Sequence, residues 1–331
     1  MTSSGESRER GASRESDDDR GKRPRSDADG APASVTSSGG KSSGSSSDSR
    51  SNGSGDGSRS RGRVWFEALT GAFAPMPGDP RSVLTADADL GGERARFLCV
   101  VPDPAGRFPR ARQGEVGLEE AWTLAARVRE VLDAGGDATA GKRPLIAIVD
   151  VRSQAYGRRE EIAAIYLAAA AAADAYASAR MAGHPVIALI AGSALSGAFL
   201  AHGYQANRIL AFDDAGVMVH AMHKEAAARV TRRSVAALEA LGSRIAPLSY
   251  DIHGYAKLGL LHKLLHVEQP DAPAPGEVDM VRRELIAAVA DARQGPRDLR
   301  HRLDSPGAIE MRRASREVRR RLQEQWDEPE R

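Results

Sequence analysis

The chain has 331 residues, with 47 basic and 45 acidic side chains, a near balance that argues against nucleic acid as its main partner. Its single cysteine, Cys99, excludes an internal disulfide and fits a reducing compartment, and no Cys/His pairing has the spacing of a structural metal site. The sequence opens without the apolar core of a secretory signal and holds no stretch near the roughly 20 apolar residues that span a bilayer, so a cytoplasmic protein with no membrane partner is expected.

Residues 1–62 contain no Leu, Ile, Phe, Trp, Tyr or Cys, and their only larger aliphatic side chains are Met1 and Val35. Such a segment cannot bury enough apolar surface to offset the entropy of ordering it, and a disordered Ser/Gly/Arg-rich tail is expected. Val64-Trp65-Phe66-Glu67-Ala68-Leu69 is the first candidate docking segment, and Ala95 to Val101 the first candidate strand. Leu118, Trp122, Ala125, Val128 and Leu132 recur at helical spacing before Gly135-Gly136. Leu145-Ile146-Ala147-Ile148-Val149 is continuously apolar, as a strand covered on both faces must be. A loop from Asp150 to Gly157 separates it from an alanine-dense helix expected over Glu160 to Ala182.

Val186 to Ala191 reads as the next strand, Ser196 to about Gln205 as its helix, and Arg208 to Phe212 as a third strand. This alternation implies an α/β protein with a mainly parallel sheet or a spiral of such units. Further helices are expected over Lys224–Leu241, Tyr250–Leu265, Glu277–Ala292 and Ile309–Trp326. Arg312, Arg313, Arg316, Arg319, Arg320 and Arg321 crowd the last; a solvated face explains such a run, and a docking surface for an acidic partner is the sharper account.

The run Gly192-Ser193-Ala194-Leu195-Ser196-Gly197-Ala198 carries the functional signal. It lacks the Gly-Lys-Ser/Thr of a nucleotide loop, the Gly-x-Gly-x-x-Gly of a dinucleotide site and the Gly-x-Ser-x-Gly of a hydrolase elbow. Small residues ahead of a helix let a ligand approach unpaired main-chain N–H groups, which would stabilise negative charge developing on oxygen. Ser196, with Asp213, Asp214 and His220 downstream, leaves a Ser-His-Asp hydrolase open as an alternative.

Gly192-x-x-x-Ser196-Gly197-Ala198 after an apolar strand resembles the Gly-rich segment of the crotonase and carboxyltransferase superfamily. Together with Val149–Glu161, Leu200–Arg208, Gly216–Met222 and Ser249–Ile252, it is similar to the gamma subunit of biotin-independent malonate decarboxylase. The resemblance implies a crotonase-like spiral of β-β-α units over residues 63–268, followed by a C-terminal helical extension over 269–331. It implies work with a beta subunit in a hetero-oligomer, and decarboxylation of a malonyl thioester on an acyl carrier protein to the acetyl thioester. The carrier's phosphoribosyl-dephospho-coenzyme A would present the substrate, with no cofactor bound directly and no metal.

By the same resemblance, the Gly197 amide is one donor to the thioester oxygen, and Gln154 or Ala155 supplies the other. Hydratase relatives carry a glutamate where this chain has Leu200, and Gly216–Ala221 contains no acid, so water addition is not expected. Tyr156 and His220 are the polar side chains expected nearest the substrate, with Ser193, Ser196 and Ala198 as further substrate contacts. Two alternatives stay open: a non-catalytic assembly subunit of the same complex, and a serine-dependent acyl-thioester hydrolase.

Overall fold

Leu145–Val149 and Val186–Ala191 offer no polar position to a solvated face, and in a computed structural model of the chain every one of these residues is buried. The structure describes residues 59–134 and 141–327. The expected tail through residue 58 and the expected helix stop at Gly135-Gly136 lie outside the described residues.

In chain order the elements are α1 (Arg61–Thr70), β1 (Val83–Leu90), β2 (Glu93–Val100), α2 (Leu118–Asp133), β3 (Leu145–Val151), α3 (Arg158–Ile162) and α4 (Ile165–Met181). Then come β4 (Val186–Leu195), α5 (Ser196–Ala201), β5 (Arg208–Phe212), β6 (Met218–His220), α6 (Lys224–Thr231), α7 (Val235–Gly242) and α8 (Ile252–Lys257). The chain continues through β7 (Lys263–Leu265), α9 (Pro275–Gln294), α10 (His301–Asp304), α11 (Pro306–Met311) and α12 (Arg313–Asp327).

β1 and β2 form an antiparallel hairpin closed by Gly91 and Gly92, both at positive φ as a two-residue turn of this hand requires. Parallel pairing then runs β2-β3-β4-β5-β7, while β6 pairs with the far end of β4. Helices α2 and α4 pack together on one face of this sheet, and α1 and α9 together on the other. The core between them is filled by Trp65, Phe66, Phe97, Leu124, Tyr176 and Phe212 among others.

Several elements depart from the sequence reading. The single helix expected over Glu160–Ala182 is broken at Ala164, whose φ is +59°, into α3 and α4. That expected over Lys224–Leu241 breaks at Arg232, whose φ is +54°, into α6 and α7. The helix expected over Tyr250–Leu265 is confined to α8, after which the chain joins the sheet as β7. The expected division at residue 268 does not coincide with a break in packing, because Val281, Leu285 and Ala288 of α9 belong to the central core.

Candidate active site

The β4 strand does not stop at Ala191. Its last residues Ser193, Ala194 and Leu195 pair with Met218, Val219 and His220, and Ala194 also pairs with Val151 beyond a bulge in β3. Gly192–Leu195 is therefore the end of a strand rather than the loop the small residues suggested. The chain reverses at Ser196, whose φ of +61° is a left-handed conformation that a side chain adopts only at a cost.

Gly197 follows in the first turn of α5, where an N–H group has no acceptor within the helix. Because α5 has six residues rather than the ten expected, its dipole is small, and what the junction offers is individual amides. A β-carbon at Gly197 would collide with the Gln154 amide oxygen, so the loop after β3 lies directly against this turn.

That loop is fixed by a short parallel bridge between Val116 and Gln154. Val116 donates to the Ser153 carbonyl at 2.9 Å, and Ala155 donates to the Val116 carbonyl at 2.8 Å. The Ala155 amide is thus committed, which removes it as a ligand donor, while the pairing leaves Gln154's own N–H outside it. Glu120 stabilises the same corner: its carboxylate accepts from the Gly117 amide at 3.0 Å and from the Ser82 hydroxyl at 2.5 Å. Burial raises the Glu120 pKa above the usual carboxylate range, partly offset by these donors.

A cleft of about 490 Å³ opens at the junction, lined by Ser196, Gly197, Leu200, His220, Ser249 and Tyr255 together with Phe199, Tyr204 and further, mainly aliphatic groups. The His220 ring stacks on Tyr250 with centroids 3.9 Å apart. Its Nδ1 lies 3.0 Å from the Met222 carbonyl and 3.2 Å from the Met222 amide, two contacts that suit its two neutral tautomers. Burial lowers the His220 pKa below the ordinary histidine value, partly offset by the Met222 carbonyl, and so favours the neutral ring.

The other expected contacts lie elsewhere. Ala198 is fully buried in the core, which closes its side chain to a substrate. Ser193 sits within β4 with its amide donating to Asp150, and Tyr156 is exposed; neither lines the cleft. The acids of the Ser-His-Asp alternative are engaged away from His220: Asp213 pairs with His253 at 2.9 Å and Asp214 with Arg61. Among the described residues, no group of three His, Cys, Asp or Glu side chains is arranged to hold a metal ion.

Two residues that the sequence reading left without a role hold this site together. Asp150 accepts from the Ser193 amide at 3.0 Å and the Gly62 amide at 3.1 Å, and a β-carbon at Gly192 would collide with its carboxylate. His202, fully buried at the end of α5, donates from Nε2 to the Ile148 carbonyl at 3.0 Å and accepts the Tyr176 hydroxyl on Nδ1 at 3.0 Å. It therefore joins the helix of Gly197 to the strand that leads to Gln154. An acid directly after an apolar strand was the available signal for Asp150; a histidine inside an Ala/Gly-rich segment gave none.

A mainly parallel sheet wrapped by helices, with a strand-to-helix turn presenting small residues to an open cleft, defines a crotonase-like member of the carboxyltransferase class. The fold is shared with Transcarboxylase 12S, at 18% identity and a TM-score of 0.53 over 73% of this chain and 43% of that one. Residues 111–326 match the malonate decarboxylase gamma subunit family, and the chain belongs to it.

The chain is similar to one in a Pseudomonas malonate decarboxylase hetero-tetramer in complex with coenzyme A, with 58% identity and a TM-score of 0.76, covering 81% of this chain and all of that one. The Pseudomonas MdcD-MdcE hetero-dimer gives 57% identity and a TM-score of 0.74 over the same 81% of this chain and all of that one. The malonyl-S-ACP:biotin-protein carboxyltransferase MADD of Malonomonas rubra is 34% identical over 194 residues, 57% of this chain and 66% of that protein's length. Among the described residues no helix is long and apolar enough to cross a membrane.

Proposed function

We propose that this chain is the gamma subunit of a malonate decarboxylase, acting with a beta subunit on a malonyl thioester borne by an acyl carrier protein. The observation that carries the reading is the junction of Ser196 and Gly197 at the head of an open cleft, with Gln154 packed against Gly197. Family membership and the partner-bearing Pseudomonas assemblies support it.

In the reaction, the bond between the carboxylate carbon and the methylene carbon breaks. Carbon dioxide leaves, and the electron pair becomes an enolate on the thioester oxygen. The Gly197 amide donates to that oxygen, and the Gln154 amide is the second donor. Such preset donors are worth about 3 kcal/mol each in the transition state. The methylene carbon then takes a proton to give the acetyl thioester. His220 is the titratable imidazole lining this cleft and is assigned to the substrate's polar end. The substrate's prosthetic arm is the carrier's phosphoribosyl-dephospho-coenzyme A, which the cleft is large enough to admit at its thioester end.

The test is reconstitution. Neither this chain nor the beta subunit alone is expected to release carbon dioxide from malonyl carrier protein, and the mixture is expected to do so without biotin. Full activity from this chain alone would contradict a shared site. Unchanged activity when Gly197→Val replaces the wild-type chain in the mixture would assign this chain an assembly role only.

A further inference from the structure

Helix α12 is mostly charged, yet it carries Val318, Leu322 and Trp326 on one face and leaves them uncovered. Val318 and Leu322 are 56% and 57% exposed and Trp326 is 87% exposed. At 100° per residue, Ser315, Val318, Leu322 and Trp326 fall on one stripe, and the helix meets the remainder of the chain through α11 and through Arg316, which reaches the Leu303 carbonyl and Asp304 of α10. Three large apolar side chains left uncovered along one helix face form a patch of the kind that marks a binding surface. Between α12 and the short helices α10 and α11 runs a groove of about 510 Å³, lined by Leu303, Ile309 and five arginines, Arg312 and Arg319 among them, against Asp304 and Glu317.

Charge selects the occupant. Residues 312–327 hold six arginines against Glu317, Glu324 and Asp327. Glu317 already binds Arg320 and Arg321, each at 2.7 Å, and Glu324 binds Arg320. Arg313 and Arg319 have no ion-pair partner among the described residues. Arg312 and Arg319 border the stripe on one side and Arg321 on the other. A second copy of this helix would set arginine against arginine, whereas an acidic amphipathic helix satisfies both the stripe and its borders.

Position points the same way. The start of α11, the short helix before α12, packs at the end of α8, with the Ser305 hydroxyl 3.4 Å from the Gly259 carbonyl and a β-carbon at Gly307 excluded by the Lys257 carbonyl. Tyr255 of α8 lines the cleft, and Arg312 lies close enough to bear on its hydroxyl electrostatically. The basic helix thus begins beside the cleft wall.

We propose that α12, with the groove behind it, is the docking surface for the acyl carrier protein, which covers Val318, Leu322 and Trp326 with an acidic helix and so delivers its thioester arm to the cleft. The inference rests on the carrier-borne substrate assigned above. Arginines bordering the stripe steer the carrier, and the stripe retains it.

The experiment uses the full chain in complex with the beta subunit and two substrates, malonyl carrier protein and free malonyl-pantetheine. In the double variants Arg312→Glu/Arg319→Glu and Leu322→Ala/Trp326→Ala, KM for malonyl carrier should rise about tenfold or more with kcat little changed, and turnover of malonyl-pantetheine should stay at the wild-type rate. The wild-type KM for the carrier should also rise with ionic strength. An unchanged KM for the carrier overturns the proposal. So does dissociation of the beta subunit from either variant in sedimentation, which would make α12 a subunit interface, or binding of the complex to phosphatidylglycerol vesicles in place of the carrier. If the wild-type complex turns over neither thioester, the decarboxylase reading fails. Titration of Trp326 emission with the carrier then still decides the docking surface, a blue shift supporting it and no shift refuting it.

Discussion

At position 197 a missing side chain matters as much as the amide beside it. Adding a β-carbon there meets the Gln154 amide oxygen, so Gly197→Val pushes that loop away and fills the cleft mouth. Its decarboxylation rate is expected to fall at least about 100-fold, while circular dichroism and co-elution with the beta subunit stay as in the wild type. Ser196→Ala should stay within about threefold of wild-type activity, because the proposed donor is a neighbouring N–H and not the hydroxyl. An inactive Ser196→Ala, with acyl-enzyme trapped on the wild type, would move the chemistry to a serine nucleophile. His202 shapes the acid limit of the fold. Its pKa is pushed down to about 4 by complete burial, from the ordinary histidine value of 6.5. Between these values the unfolded chain binds a proton that the folded chain refuses. Its contribution to stability is therefore full above pH 6.5 and declines as the pH falls to about 4, a loss of about 3 kcal/mol. Denaturant midpoints measured from pH 7.5 to 4 should follow this decline, and His202→Gln should flatten it. A wild-type midpoint constant across that range would refute the assignment.

At the scale of elements, the two halves of the site are separate in sequence and are brought together by one carboxylate and one imidazole. Asp150→Ala removes two charge-assisted hydrogen bonds, to Ser193 and Gly62, and leaves both amides without their acceptor. A loss of about 2–3 kcal/mol of stability is expected, with decarboxylation reduced more than binding of the beta subunit; Asp150→Asn should recover part of both. A wild-type midpoint in Asp150→Ala would show that the carboxylate braces nothing. What was legible beforehand follows from the same physics. Leu145–Val149, Val186–Ala191 and Arg208–Phe212 announced a doubly covered sheet, because an uninterrupted apolar strand has nowhere else to go. β1 was hidden because Asp87 and Asp89 interrupt its apolar run; Asp87 is instead held by Arg96 on the neighbouring strand. β6 and β7 span three residues each, too few for any period to show. The break at Ala164 was silent, since alanine favours an unbroken helix and the kink is imposed by tertiary packing. That Gly197 and His220 line one cleft was foreseeable from the strand-glycine pattern and the resemblance. The commitment of the Ala155 amide could not, because it depends on a bridge to Val116, 39 positions away.

For the whole molecule, the boundary of the fold on its N-terminal side is set by what α1 buries. Trp65 and Phe66 are fully buried, Trp65 stacks on Phe212 at 4.6 Å, and its indole N–H donates to the Pro270 carbonyl at 2.8 Å. Ser60 caps the helix by accepting from the Arg63 amide, Arg61 pairs with Asp271 at 2.6 Å and also with Asp214, and Gly62 donates to Asp150. The composition of residues 1–62 suggested that all of them are dispensable, but the contacts of Ser60, Arg61 and Gly62 draw the line earlier. Deletion of residues 1–58 is expected to shift the thermal midpoint by no more than about 2 °C and to leave the reconstituted activity intact, since those residues have almost no apolar side chain to pack. Deletion of residues 1–66 removes the cap, the Arg61 ion pairs, the Asp150 contact and two buried aromatic side chains worth about 2–3 kcal/mol each. That shorter chain should lose a cooperative transition at 25 °C, and activity with it, because the brace on β4 beneath Gly197 goes as well. The comparison is decisive in both directions. A 59–331 chain that melts early would give the sequence before Arg59 a place in the fold, and a 67–331 chain that melts normally would show that α1 is an accessory to the core and not part of it.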